Sequence, residues 1–196
     1  MEIVRLERSR LAEASDVLAQ AFFDDPAWVW MFPDRRRRAR LLPWLFRIGF
    51  EMTAADVWAN AGLVHGAARW LPPGRPAIRV GPTLRGLALT PLRLGLTTGR
   101  FLAYGRAVET LRARVAGGPH WYLAGIGVAP SHQREGIGSA LLRPGIEGAA
   151  RDHVPAVLLT NSEENLSFYE RNGFRTVAEA DTPPDGPHCW AMVRHQ

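Results

Sequence analysis

The chain contains no lysine, and all 24 of its basic residues are arginine. A P-loop is therefore excluded, because its lysine must follow the glycines to reach a bound phosphate. Cysteine is nearly absent as well. The single Cys189 rules out an internal disulfide and a cysteine metal cluster, and it makes a reducing cytoplasm the expected setting. No apolar run approaches the about 18 residues of a membrane span. The first residues, with Glu2, Arg5, Glu7, Arg8 and Arg10, are too charged for the core of a signal peptide, so a soluble protein is expected. Repeats and disordered linkers are also missing, and 196 residues predict one domain over 1–196. The net charge of +5 suits an anionic ligand, although arginines most often form a solvated face. Basic residues are not interleaved with aromatics and no helix-turn-helix grammar is present, which argues against a nucleic-acid binder. No metal is expected.

What is present centres on Ile126 to Leu142. An apolar run from Trp121 to Val128 ends at Pro130, a polar loop follows, and Gly136-Ile137-Gly138-Ser139 opens a segment of helical character. The pattern predicts a strand, a loop and a helix. Glycines at a helix start let backbone approach a ligand closely, and the unpaired first-turn N–H groups sit at the positive end of the helix dipole. This is a phosphate cradle. A dinucleotide fingerprint would need a third glycine, which the chain lacks.

The remaining elements follow from periodicity and punctuation. Glu2 to Leu6 reads as an edge strand and Leu11 to Phe23 as an amphipathic helix stopped by Asp24-Asp25-Pro26. Trp28, Trp30, Met31 and Phe32 are too aromatic for a plain surface loop, and they read as a plug over the core or as the wall of an acceptor pocket. Arg35 to Arg40 places five arginines at the start of a helix running to Met52, against its dipole. Val57 to Ala59 and Ala67 to Leu71 predict a hairpin. Ala77 to Arg100 predicts short helices and loops, and Phe101 to Val115 a helix ended by Gly117-Gly118-Pro119. Pro144, Gly145 and Gly148 predict a kink or break near Arg143. Val154 to Thr160 predicts a strand parallel to the first through a right-handed crossover. A short helix over Asn165 to Arg171 and strands at Phe174 to Ala178 and Cys189 to Arg194 complete a mixed α/β sheet with helices on both faces.

Gln133-Arg134-Glu135-Gly136-Ile137-Gly138 after a strand resembles the Gln/Arg-x-x-Gly-x-Gly/Ala signature of the GCN5-related N-acetyltransferases (GNAT). Asn165-Leu166-Ser167-Phe168-Tyr169, followed by Asn172-Gly173-Phe174, resembles the second motif of the same family. On a helix Asn165 and Tyr169 stand one turn apart on one face. The resemblance extends through most of the chain. Pro144 to Glu147, Val154 to Ala156 and the ending Gly186 to Met192 look closest to the puromycin N-acetyltransferase-like members. Where those relatives carry Leu-Glu-Thr-Ser, this chain has Leu158-Leu159-Thr160-Asn161, so no role of that glutamate transfers to Leu159.

The resemblance implies a twisted mixed sheet that binds acetyl-CoA as co-substrate and passes acetyl directly to a primary amine, with a monomer or homodimer as the working unit. It implies cofactor contacts from Ile126, Gly127, Val128, Gln133, Arg134, Glu135, Gly136, Ile137, Gly138, Ser139 and Asn165. The backbone of Ile126 to Val128 would supply an oxyanion donor, and Tyr169 would supply the proton to the leaving thiolate. Asp25, Trp28, Trp30 and His120 are candidates for the acceptor side, and Asp25, His120 and Glu109 for the base. Two alternatives stay open: a regulatory domain that binds acyl-CoA without turnover, and acetylation of a protein or peptide amine.

Overall fold

The computed structural model describes residues 1–52, 55–75 and 93–195. The strands are β1 (Ile3–Arg5), β2 (Asp56–Asn60), β3 (Gly66–Leu71), β4 (Trp121–Val128), β5 (Ala156–Thr160), β6 (Arg175–Asp181) and β7 (His188–Arg194). They form one sheet in the order β1-β2-β3-β4-β5-β7-β6, in which β4 and β5 are parallel and every other neighbouring pair is antiparallel. The helices are α1 (Leu11–Ala21), α2 (Pro26–Met31), α3 (Arg35–Met52), α4 (Thr98–Ala116), α5 (Ile137–Arg151) and α6 (Leu166–Arg171). No described helix is long and apolar enough to cross a membrane. Most of the Ala77 to Arg100 region lies outside the described residues.

Side-chain alternation on the strands sorts the helices into two layers. Ala68, Trp70, Trp121, Leu123, Leu158 and Met192 face α5 and α6. Val57, Ala59 and Ala67 face α1 and α3, and Cys189 and Ala191 face Leu111 of α4.

Helix α5 runs unbroken through Pro144, contrary to the predicted kink or break. Burial against the sheet outweighs the cost of the proline, and the Trp70 indole donates to the Leu141 carbonyl at 3.3 Å in the disturbed turn. Gly145 and Gly148 let the helix lie directly on indole rings. A Cβ at Gly145 would stand 2.1 Å from Trp70, and one at Gly148 would stand 2.5 Å from Trp121.

The arginine run resolves into structural roles. Asp34 caps α3 by accepting from the Arg37 amide at 2.7 Å. Arg35 pairs with Asp24 at 2.9 Å, and Arg37 donates to the Leu94 carbonyl at 2.6 Å. Arg38 is 2% exposed and donates to the carbonyls of Phe23, Phe32 and Pro33. It thereby ties down both ends of the segment that carries Asp25.

Candidate active site

The centre of the sheet is pulled apart. β4 pairs with β5 only at Trp121, Tyr122 and Leu123, while its pairing with β3 continues to Val128. Opposite β3, Leu123 faces Trp70 and Gly125 faces Arg69, which leaves Ala124 as an extra residue in a bulge. Beyond Leu123 the β5 side of β4 therefore has no partner strand, and its outward amides are free to meet a ligand. Ile126, Gly127 and Val128 lie on this stretch. Gly127 also packs closely, because a Cβ there would come within 2.7 Å of Ala21.

Past Val128 the chain turns through Pro130 to His132 into the start of α5. Gly136 is the residue before the helix, in a left-handed conformation with φ 83°, and nothing lies within 4 Å of where its Cβ would stand. No side chain caps the helix, so the first-turn amides of Ile137, Gly138 and Ser139 are left for a ligand. Gln133, Arg134 and Glu135 are exposed on the rim. Gln133 donates to the Val128 carbonyl at 3.4 Å, and Glu135 lies 3.4 Å from His132, which stacks on His65 at 3.8 Å. The two glycines have different duties. A Cβ at Gly138 would meet Phe168 of α6 at 3.1 Å, so Gly138 serves close helix packing rather than ligand approach. Ile137 is a core residue at 2% exposure and offers only its amide outward. Ser139 accepts from Asn172 at 3.4 Å.

Asn165 and Tyr169 meet different surroundings. Asn165 is exposed at the start of α6, and its side chain makes no capping bond. Tyr169 is 6% exposed in the core beside Phe168 and Phe174. Burial, helped by the field of Asp25, drives its pKa well above that of an ordinary phenol, so it stays protonated. No described residue hydrogen-bonds its hydroxyl, which a purely anchoring tyrosine would have satisfied.

Asp25 is the N-cap of α2 and accepts from the Ala27 amide at 3.0 Å. Burial pushes its carboxyl up to about 6 against the pull of two backbone amides, and no described arginine pairs with it. Its charge reaches Tyr169, Tyr104 and Cys189. Tyr104 of α4 donates to Asn161 at 2.6 Å, and Asn161 in turn donates to the His188 carbonyl at 2.7 Å. A hydrogen-bonded chain thus joins Tyr104 and Asn161 to β7, and the charge of Asp25 acts on both Tyr104 and Tyr169.

Of the other predicted acceptor residues, Trp28 reaches Asp25 through its backbone amide alone, and Trp30 and His120 make their contacts elsewhere. Trp28 stacks on Phe32 at 6.1 Å and packs on Phe46 at 5.4 Å, which makes it part of the plug over the core. Trp30 lies under Arg100, with the guanidinium 5.4 Å from the ring. His120 sits at the opposite end of β4, held by Arg112 at 2.8 Å and the Gly118 carbonyl at 2.7 Å, in a separate cleft of about 220 Å³. Glu109 pairs with Arg112 on the surface. Tyr104 was not singled out in the sequence, because a lone tyrosine in a helix carries no spacing signal. Asn161 was visible only as a departure from Leu-Glu-Thr-Ser.

Residues 97–176, which hold both motifs, match the acetyltransferase (GNAT) domain family. Among solved structures, a Corynebacterium glutamicum protein described as histone acetyltransferase HPA2 and related acetyltransferase superposes with a TM-score of 0.65 at 22% identity, covering 98% of this chain and 94% of that one. An agmatine N-acetyltransferase gives 0.63 at 14% identity, covering 100% and 99% of the two chains. The Drosophila melanogaster polyamine N-acetyltransferase gives 0.60 at 15%, covering 100% of both. At these identities the superpositions establish the GNAT fold over the whole chain, and the domain match establishes the enzyme class. Residues 97–176 thus match a GNAT acetyltransferase domain, within a chain that has the fold of these acetyltransferases.

Proposed function

We propose that the protein moves the acetyl group of acetyl-CoA directly to a neutral primary amine of a small molecule, with Asp25 as the base and Tyr169 as the acid. The carrying observation is the pair itself. A carboxylate raised to about 6 lies near enough for its charge to act on a phenol that burial keeps protonated. Two titratable groups pushed to opposite duties are what acid and base assignments require.

The left-handed Gly136 and the uncapped amides of Ile137, Gly138 and Ser139 fit a pyrophosphate, and the free edge of β4 at Ile126 to Val128 fits the arm that follows it. When bound, acetyl-CoA supplies the activated acetyl group as a thioester. Asp25 takes the proton from the incoming ammonium, which frees the nitrogen lone pair to form the new N–C bond. A β4 amide donates to the oxygen that gains charge. Tyr169 gives its proton to sulfur as the C–S bond breaks, and the second proton, shed by the acylated nitrogen, restores the phenol. A relay through cysteine is disfavoured, because Cys189 is fully buried and its thiol is pushed up to about 11.

The likeness to puromycin N-acetyltransferase-type members makes an antibiotic-like amine one acceptor to assay, in a cytoplasmic setting. Free CoA thiol should be released continuously when the protein meets acetyl-CoA and a panel of amines that includes puromycin and agmatine. Tight CoA binding with no release for any amine would favour a regulatory domain instead.

A further inference from the structure

A second charge on the α1, α3 and α4 face of the sheet lacks a counterpart. Arg69 of β3 alternates with Ala68 and Trp70, which belong to the core on the opposite face. Its guanidinium lies over Phe50 at 6.0 Å and beside Gly49, whose Cβ would come within 2.7 Å of Nη1. Burial lowers its pKa, and its enclosed Nε has no partner among the described residues. Arg5, Arg10, Arg35 and Arg112 all find carboxylates, whereas Arg69 has no ion pair among the described residues. Arg69 is half-buried with its Nε enclosed, and a partly desolvated guanidinium without an anion is costly, so it persists where one is to be supplied.

The space for that anion lies beside it. Gly125 is the cross-strand partner of Arg69, at the point where the bulge occurs and the β5 pairing has ended. Among the described residues, no heavy atom lies within 4 Å of where the Gly125 Cβ would stand. Tyr122, on the same face, feels the charge of Arg69; Tyr104 feels both Tyr122 and Asp25. The charges of Asp25 and Arg69 thus both act on phenols of this region.

We propose that the acceptor is an amino carboxylate whose anionic group sits over Gly125 against Arg69 while its amine, several bonds away, faces Asp25. The amine half of this statement rests on the acetyl-transfer reading above, and the anion half does not. Agmatine and polyamines, the acceptors named for two of the similar structures, would bring a cation to Arg69 and should be poor substrates.

The test uses ω-amino carboxylates from beta-alanine to aminohexanoate, the matching amides, and agmatine, each with acetyl-CoA. The best carboxylate should exceed its amide at least tenfold in kcat/KM, with agmatine lowest. Arg69→Gln should bring the ratio of carboxylate to amide to within about twofold of unity, mainly by raising the carboxylate KM. Gly125→Val, which fills the space and leaves Arg69 in place, should do the same and covers the case in which Arg69→Gln fails to fold. A ratio near unity in the wild type, or one unchanged in both variants, overturns the anion site. Calorimetry of the best carboxylate without acetyl-CoA separates the two readings. Binding lost in Arg69→Gln, with no acetylation of any amine by the wild type, would sink acetyl transfer and leave the anion site standing.

Discussion

The two halves of the site are built in opposite ways. The cofactor half is one continuous segment, from Ile126 to Ser139, and its useful groups are backbone amides set by a left-handed glycine and a helix start. The proposed acceptor half draws on Asp25 on α2, Tyr104 on α4, Asn161 after β5 and Tyr169 on α6, and the groups assigned to it are side chains. Backbone chemistry requires a local pattern of glycines, so it leaves a motif. Side-chain chemistry requires only that the fold bring residues together, so it leaves almost none.

Breaking the acceptor half should have the largest effect. Asp25→Asn and Tyr169→Phe should each lower kcat by about 10² to 10⁴, with acetyl-CoA affinity measured by calorimetry nearly unchanged. In the wild type kcat/KM should fall as pH drops through about 6, where Asp25 takes up its proton, and Asp25→Asn should lose that limb of the profile. Tyr169→Phe should melt close to wild type, since no described residue bonds the hydroxyl. A lowered melting temperature with normal turnover would return Tyr169 to the core.

The cofactor half should break differently at its two glycines. Gly136→Val should weaken acetyl-CoA binding by at least about tenfold, because a side chain would fill the cradle and the left-handed backbone costs about 1–2 kcal/mol. Gly138→Val should instead lower the melting temperature through its clash with Phe168. Equal losses of affinity without loss of stability would erase the distinction between them.

Arg38 sharpens the comparison from the structural side. Arg38→Met leaves the carbonyls of Phe23, Phe32 and Pro33 without their donor, and it should cost roughly 2–4 kcal/mol in denaturant unfolding. Acceptor KM should rise more than acetyl-CoA KM, because the loosened segment carries Asp25.

The smallest effect concerns Asp25 in folding. Its folded pKa lies above its unfolded value, so the protonated form is favoured by the fold; that contribution is full below about 4 and is lost as pH rises through about 6. Asp25→Asn retains a capping side chain and should be more stable than wild type at pH 8, on the order of 1 kcal/mol after allowance for partial exposure. The advantage should vanish near pH 4 in melting experiments.

The same contrast explains what could be read in advance. The strand, the loop and α5 were legible because apolar runs, Pro130 and Gly136 are local signals, and the sheet followed from alternation in the strands. The continuity of α5 was not legible, because Pro144 is a local penalty while the contacts of Gly145 and Gly148 with Trp70 and Trp121 are distant gains. Asp25 stands among several candidates for the acceptor side and the base, with no local pattern to single it out beyond a helix stop. Its role as an unpaired carboxylate depends on Tyr169, which is far from it in sequence. Trp28 and His120 were drawn in by residue type alone, and packing placed one in the plug and the other at the wrong end of β4. Arg69 carried a faint signal, a charge inside the apolar run Ala67 to Leu71, whose meaning depends on Gly125 across the strand.

The contact of Gly145 and Gly148 with two indoles makes α5 a lever resting on a fixed fulcrum. Its near end is the row of amides at Ile137, Gly138 and Ser139, two turns away, and the indoles set the height of that row above the sheet. Any side chain added at the fulcrum would tip the far arm and swing the amides away from the edge of β4. The distance between the proposed anchor for the pyrophosphate and the proposed point of acetyl transfer is thus gauged by tryptophans that belong to neither.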